Sequence, residues 1–196
     1  MIKRLFDIIF SSLGLVVLAP LLLLIALIIK IESKGPVFYR QVRVGKDDLD
    51  FRIFKFRTMY VGSDAKGLLT LGDKDSRVTR VGFYLRKYKL DELPQLINVF
   101  NGSMSFVGPR PEVRKYVDHY TEDDMLIFKI KPGITDFASI AFRHEAELLK
   151  ANDNPELLYI QEIMPKKLAL NKKYMEHNSL AIDIKIILQT FISIIR

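Results

Sequence analysis

The chain has 196 residues, with 30 lysines and arginines against 23 aspartates and glutamates, a formal charge of +7, and 49% hydrophobic residues. That length fits one catalytic-sized domain with appendages and a real core, and the basic excess points to an anionic partner: nucleic acid, nucleotide phosphates or an acidic membrane leaflet. The absence of cysteine excludes disulfides, iron–sulfur clusters and thiol catalysis, and the three histidines, His119, His144 and His177, lack zinc-ligand spacing.

From Ile8 to Ile29 no side chain is charged, and at about 1.5 Å per residue the run is long enough to span a bilayer. Ser11, Ser12 and Gly14 interrupt its first half, and Pro20 permits a bend. Lys3 and Arg4 precede the run, and Lys30, Lys34, Arg40 and Arg43 follow it, so the positive-inside rule pulls both ends to the cytoplasmic side. A straight span and a bent helix that enters and leaves through one leaflet both fit. The length of the run and its direct continuation into a basic domain argue against a cleavable signal peptide.

Val37 to Val44 and Phe51 to Met59 read as two strands around the polar turn Gly45-Lys46-Asp47-Asp48. In the second, alternation places Phe54 and Phe56 on one face and Lys55 and Arg57 on the other. A solvated basic face would give the same pattern. Gly62 to Ser76 is rich in glycine and polar residues and reads as a loop able to act as a lid.

Lys89-Leu90-Asp91-Glu92-Leu93-Pro94-Gln95-Leu96 reads as the start of a short helix. Leu93, Leu96, Ile97 and Phe100 fall at i, i+3, i+4 and i+7 on one core-facing side, and Asn101-Gly102 supplies the stop. Asp91 fits the N-cap, with Pro94 in the first turn. Asp91 and Glu92 then lie at the positive end of the helix dipole, which favours their ionised forms. Taken alone, this octapeptide is better explained by ordinary capping, since acids in a first turn are the common pattern. The flanking residues favour chemistry. Arg77, Arg80, Arg86, Lys87 and Lys89 crowd the approach, and Arg110, held between Pro109 and Pro111, presents a guanidinium from a stiff segment suited to bidentate phosphate recognition. Acids, arginines and a divalent ion together are what phosphoryl transfer requires.

Glu112 to Lys129 reads as helical, and Lys131-Pro132-Gly133-Ile134-Thr135 as a turn into a strand. Arg143, in the segment Asp136 to Glu145, is either a phosphate contact or an exposed structural arginine. Glu145 to Tyr174 is helix-like with a break at Asn152-Asp153-Asn154-Pro155, and its lysine pairs, Lys166-Lys167 and Lys172-Lys173, face anionic lipid or water. From Leu180 to Arg196, Ile182, Ile186, Ile187, Phe191, Ile194 and Ile195 recur at helical spacing, as expected of a helix in contact with a membrane interface.

The text from Asp75-Ser76-Arg77-Val78-Thr79-Arg80-Val81-Gly82 through Leu90-Asp91-Glu92-Leu93-Pro94-Gln95 to Pro109-Arg110-Pro111 resembles the bacterial sugar transferases known as monotopic phosphoglycosyl transferases. The resemblance takes in the N-terminal apolar segment, Lys55-Phe56-Arg57-Thr58-Met59, the Lys131 to Thr135 turn and Asp183-Ile184-Lys185. It implies an α/β fold: a small membrane-associated catalytic domain (35–179) with an N-terminal re-entrant membrane helix (1–34) and interfacial amphipathic helices, the last over 180–196. It also implies transfer of a phosphosugar from a nucleotide sugar to polyprenol phosphate at the cytoplasmic face of the bacterial inner membrane. On this reading Asp91 attacks the β-phosphate and carries Mg²⁺, and Glu92 orients or relays protons. Lys55, Arg57, Arg80, Arg86, Pro109, Arg110, Pro111 and Arg143 form the substrate site. Membrane lipids are partners, nucleic acid is not, and a homo-oligomer is compatible with the reading. The chain departs from many relatives with Ala19-Pro20 in place of Ser-Pro, Lys89 in place of a small residue, Ser103 in place of an acid, and no glycine-rich wording after Thr135. Two rivals remain: a peripheral glycosyltransferase that forms a glycosidic bond, and a non-catalytic basic membrane adaptor.

Overall fold

A computed structural model describes residues 2–63 and 75–195. Most of the expected Gly62–Ser76 loop, residues 64–74, lies outside the described residues. Helix α1 runs unbroken from Ile2 to Glu32 and carries Pro20 inside it. Neither the bend nor a re-entrant turn is marked by a break in the helix. The hydroxyls of Ser11 and Ser12 donate to the carbonyl of Ile8, at 3.2 and 2.7 Å, so these polar groups are satisfied within the apolar helix. Asp7, Ser11, Ile25 and Ile29 lie on one buried side, whereas Ile2, Leu5, Val16, Val17, Leu23 and Ile31 are exposed. The 18-residue apolar window has a mean hydropathy of 3.0 and only 11% of it is buried, so α1 is long and apolar enough to cross a membrane.

Both ends of α1 are held by the same body of protein. At the N-terminal end, Lys3 Nζ donates to Asp183 Oδ2 (2.6 Å), Tyr174 Oη (2.7 Å) and the Val107 carbonyl (2.9 Å). Arg4 donates to the carbonyls of Val99 and Phe100 at 2.6 and 2.7 Å, which caps the last turn of α3 (Gln95–Asn101). At the other end, Ile25 and Ile29 pack with Phe56 and Leu85. There Glu32 Oε1 accepts from the amide of Val81 at 2.8 Å, in the first turn of α2 (Arg80–Lys87). Midway, a Cβ at Gly14 would lie 3.1 Å from Leu96 Cδ1, so glycine lets α3 approach α1 closely.

The two expected N-terminal strands are one interrupted antiparallel hairpin. β1 (Phe38–Tyr39) pairs with β4 (Lys55–Phe56), and β2 (Val42–Val44) pairs with β3 (Asp50–Arg52). The Lys46–Asp48 turn joins them, with Asp47 and Asp48 at φ of 58° and 61°. β5 (Ser105–Val107) and β6 (Gly133–Thr135) form a parallel pair. Asn98, in the middle of α3, ties the hairpin down: its Oδ1 accepts from Phe54 N at 2.8 Å and its Nδ2 donates to the Arg52 carbonyl at 2.9 Å.

Two sequence expectations around α3 are corrected. Asp91 is not the N-cap of that helix; it lies in a separate 3₁₀ turn, Leu90–Glu92, entered through Lys89 in the left-handed region (φ 56°). The helix begins only after Pro94, which occupies its N-cap position. The buried side is also turned. Gln95, Leu96, Asn98 and Val99 face inward and Phe100 is 46% exposed, because the inner face must supply polar groups to the hairpin as well as apolar packing to α1. The stop at Gly102 (φ 86°) is as expected.

Glu112 to Lys129 is helical in two separate pieces, α4 (Arg114–Val117) and a 3₁₀ stretch, Asp124–Lys129, with turns between them. Beyond β6 come α5 (Phe137–Ala141), α6 (Glu145–Lys150), α7 (Pro155–Leu158), a π-helical stretch (Tyr159–Ile163), α8 (Met164–His177) and α9 (Leu180–Ile195). The break at Asn152–Pro155 is present, with Asn154 capping α7. In α9, Ile186 is fully buried with Val107 and Tyr174, while Ile184, Leu188, Phe191 and Ile192 form an exposed apolar side.

The β5–β6 contact rests on two glycines. A Cβ on Gly133 would lie 2.1 Å from Gly108 N, and one on Gly108 would lie 2.3 Å from the Lys131 carbonyl, both against backbone that has no room to give. Gly133→Ala is therefore expected to destabilise the protein by about 3–5 kcal/mol. At Gly62, φ is 82° but a Cβ would meet nothing within 4 Å among the described residues, so Gly62→Ala should cost only the left-handed backbone penalty of about 1–2 kcal/mol. Denaturant unfolding of both variants checks the contrast, and equal losses would contradict it.

Candidate active site

Three separate segments meet at Glu92. The 3₁₀ turn presents its carboxylate, β4 presents Lys55, and the turn after β5 presents Arg110. Lys55 Nζ donates to Glu92 Oε1 at 2.8 Å, and Arg110 donates through Nη2 to Oε1 at 2.5 Å and through Nη1 to Oε2 at 3.3 Å. The side chains of Glu92 and Lys55 are 13% and 16% exposed and that of Arg110 is 36% exposed, so the acid and the lysine are shielded from solvent while the guanidinium reaches it. The stiff Pro109-Arg110-Pro111 segment thus aims a two-pronged guanidinium as expected, but at a carboxylate of the protein itself.

The backbone around Arg110 is fixed from behind. Arg110 N donates to Asp136 Oδ2 at 3.1 Å, and Asp136 Oδ1 accepts from Ser139 N at 2.6 Å as the N-cap of α5. Gly133 N donates to the Pro109 carbonyl at 3.0 Å. On the other flank Arg43, from β2, donates to the Pro111 carbonyl (3.1 Å) and to Glu112 Oε1 (3.2 Å), and Glu112 Oε2 accepts from the hydroxyl of buried Tyr159. Arg43, Glu112, Asp136 and Asn98 are absent from the sequence-derived site. Asp136 directly before Phe137–Ala141 is a readable N-cap signal, since its carboxylate can accept the backbone amide three residues on, whereas the long-range partners of Arg43 and Asn98 leave no local trace.

The two neighbouring acids have opposite electrostatics. Burial pushes the Asp91 carboxyl above its ordinary range and the negative charge of Glu92 adds to this, while Lys55, Arg86 and Lys89 pull it back. Oδ1 of Asp91 is buried without a hydrogen-bond partner among the described residues. Burial would also raise Glu92, but Arg110 and Lys55 outweigh it and hold Glu92 well below the ordinary glutamate range. Burial lowers Lys55, partly offset by Glu92, and Glu92 in turn raises Arg110. The dipole argument that favoured ionised Asp91 is overruled by desolvation, which is large when a carboxylate leaves water.

The other sequence-derived residues divide. Arg86 is half-buried and close enough to act electrostatically on Asp91. Pro109 and Pro111 are buried in the turn that carries Arg110. Arg57 does not share the direction of Lys55, because β4 ends at Phe56. Its guanidinium binds the carbonyls of Ser33 (2.8 Å) and Lys34 (2.5 Å), just past the end of α1. Arg80 and Arg143 are exposed and are not brought to the Asp91–Glu92 cluster by any described contact. Arg43, Ile53, Lys55, Gln95, Arg110 and Pro111 line a narrow cleft.

The chain matches the bacterial sugar transferase family over residues 1–196. It is 40% identical over 194 residues to the UDP-glucose:undecaprenyl-phosphate glucose-1-phosphate transferase of Escherichia coli (strain K12), which covers 97% of this chain and 39% of that protein. It is 38% identical to the protein of the same name from Caulobacter vibrioides, over 98% of this chain and 69% of that one. It is 44% identical to the UDP-N-acetylgalactosamine-undecaprenyl-phosphate N-acetylgalactosaminephosphotransferase of Aeromonas hydrophila, over 74% of this chain and 35% of that one. The chain therefore spans about two fifths of the Escherichia coli relative's length.

The opposite shifts of the two acids give opposite stability effects. For Asp91, whose folded pKa is raised above its ordinary value of 3.8, the stabilising contribution is present below that value and is lost as pH rises through the folded pKa. Asp91→Asn should therefore melt higher than the unchanged protein at pH 7, with the gap closing as pH falls towards 4. For Glu92, whose folded pKa is depressed below its ordinary 4.5, the contribution is present above 4.5 and is lost as pH falls through the folded pKa. Glu92→Gln should melt lower at pH 7. Melting curves between pH 4 and 8 test both, and an Asp91→Asn variant that melts lower at neutral pH would contradict the electrostatic assignment.

Proposed function

This chain belongs to the bacterial sugar transferase family, and from that premise we propose that it transfers a phosphosugar from a UDP-sugar to undecaprenyl phosphate, yielding the undecaprenyl diphosphate sugar and UMP. The proposal takes its substrate classes from the names of the relatives. The observation that carries it is the contrast between the two acids. Glu92 has both oxygens engaged by cations, whereas Asp91 keeps a buried oxygen free of hydrogen bonds among the described residues, which is the state of a nucleophile that has shed its solvent.

Asp91 attacks the β-phosphorus of the donor. A carboxylate O–P bond forms, the bond to the bridging oxygen breaks, and UMP leaves with that oxygen. A phosphate oxygen of the lipid then attacks the same phosphorus and releases the Asp91 carboxylate. Lys55 and Arg110 supply the positive field that lets a dianionic diphosphate approach a carboxylate. Glu92 keeps those two cations fixed in place, and Arg86 lies on the approach to Asp91.

Mg²⁺ fits the donor set in a limited way. Among the described residues no group of three or more potential ligands gathers, but Asp91 Oδ1 is one free carboxylate oxygen, and magnesium characteristically uses one or two carboxylates together with substrate phosphates and water. When bound there it would neutralise phosphate charge.

The same reading places the enzyme on the cytoplasmic face of the bacterial inner membrane, with 1–34 and 180–196 as the lipid-facing parts around the catalytic residues 35–179. α1 supports monotopic attachment, because Lys3 and Arg4 at one end and Ile25, Ile29 and Glu32 at the other contact the same domain. A straight span would separate those ends by the bilayer. The exposed side of α9, Ile184, Leu188, Phe191 and Ile192, suits the interface.

The covalent step is separable from the lipid step. With UDP-sugar and Mg²⁺ but no lipid, the enzyme should release up to one UMP per active site and gain the mass of the phosphosugar. Asp91→Asn should abolish both signals, and Glu92→Gln should slow them. Rapid full turnover without a lipid-independent burst would favour direct attack by the lipid phosphate instead. Release of UDP in place of UMP would favour a glycosidic-bond-forming enzyme.

For topology, the chain has no native cysteine, so a single cysteine placed at residue 2 reports its own side. Membrane-impermeant thiol reagent should label it only after the cytoplasmic face is exposed. Labelling from outside intact cells would establish a straight span.

A further inference from the structure

Gln95 is the largest unexplained polar group beside the site. It follows the 3₁₀ turn by three residues, is 1% exposed, and its Nε2 is buried without a hydrogen-bond partner among the described residues. A buried amide donor left unmatched carries its full desolvation penalty, and its neighbour Asn98, on the same helix, shows how readily this fold satisfies such a group. The side chain lines the cleft together with Arg43, Lys55, Arg110 and Pro111. Three of these neighbours are cations, and the carboxylates that partner them, Glu92 and Glu112, lie on the protein side.

An occupant of such a cleft is an anion with several acceptor oxygens, which is the chemistry of a phosphate. We infer that Gln95 donates a hydrogen bond from its carboxamide to a phosphate oxygen of the substrate, completing a donor set whose charged members are Lys55 and Arg110. The inference rests on the phosphosugar-transfer reading for the identity of its ligand. The phosphate belongs either to the nucleotide sugar or to the polyprenol phosphate. A neutral donor suits this position, because a further lysine or arginine would stand beside Lys55, Arg110 and Arg43, where burial, and after it the charges of Arg110 and Arg43, already lower Lys55.

Gln95→Met keeps the length and shape of the side chain and removes its donor. The full chain in detergent is titrated calorimetrically with UDP, as the soluble diphosphate, and with polyprenol phosphate in micelles, and its melting temperature is recorded. The variant should melt at or above the unchanged protein, because a buried donor without a partner has been removed, and one of the two dissociation constants should rise about tenfold (~1.4 kcal/mol). A rise with UDP assigns the contact to the donor's phosphates, and a rise with polyprenol phosphate assigns it to the acceptor's. Gln95→Glu, which brings a carboxylate to the same place, should weaken that ligand further. Dissociation constants within twofold of the unchanged protein in both titrations overturn the inference, and so does a fall in melting temperature with binding intact, the mark of a structural glutamine. A protein that binds both phosphates through Gln95 but transfers no sugar would overturn the reading of function and leave this contact standing.

Discussion

Glu92 is the point on which the site depends. Its carboxylate accepts from Lys55 and, through two prongs, from Arg110, and so joins a strand of the N-terminal hairpin, the turn before α3 and the turn after β5. Without that carboxylate the half-buried Lys55 would face the Arg110 guanidinium beside Arg43 with no compensating charge between them, an arrangement that partial burial penalises. With it, the pair of cations becomes a fixed positive surface next to Asp91. The same charge that gathers the cations also makes Asp91 harder to ionise. One acid thus stabilises the architecture, and the adjacent acid bears the cost of the reactive position.

The scaffold serves this arrangement by close backbone contact rather than by extensive sheet. Each strand is two or three residues long, so ladder hydrogen bonds alone would hold little. Position comes instead from Asn98 on the hairpin backbone, from Asp136 on the Arg110 amide, and from the Gly108–Gly133 contact that lets the two turns touch. Arg43 and Glu112 then lock Pro111 from the opposite side, with Tyr159 behind them. Side-chain to backbone bonds of this kind fix a loop at the cost of burying polar groups, and they are stable because nearly every one is satisfied.

What was legible in the sequence follows the range of the interactions. The apolar run of α1, the stop at Gly102, the break at Asn154-Pro155 and the turn into β6 are local, set by composition and by glycine or proline within a few residues, and all are present. The turned face of α3 was not legible, because Gln95 and Asn98 point inward for partners forty or more residues away in the hairpin or for a group outside the fold. Arg57 was misplaced for a similar reason. Alternation along a strand predicts its direction only while the strand continues, and β4 stops one residue earlier. Arg110 was read correctly as a rigidly held fork, but a lone motif could not show that its first partner would be Glu92.

The placement of α1 connects the site to the lipid substrate in the proposed reaction. Leu96 lies against Gly14, near the middle of the apolar helix, and the carbonyls at the end of α3 are capped by Arg4 from the helix's own first turn. Asp91 precedes Leu96 by only five residues, so the reactive turn sits at one end of the short helix that packs along α1. If α1 were perpendicular to the bilayer, its buried side would draw α3 and the Asp91 turn into the hydrocarbon, where Lys55, Glu92 and Arg110 would be ruinously desolvated. If both ends of α1 stay at one face, the apolar residues of its outer side meet lipid while the charged cluster remains at the level of the headgroups. A polyprenol phosphate presents its charge at that level too. The requirement that the acceptor's phosphate reach Asp91 without leaving the interface, and the requirement that the cluster keep its charges out of hydrocarbon, are therefore met by the same orientation of one helix.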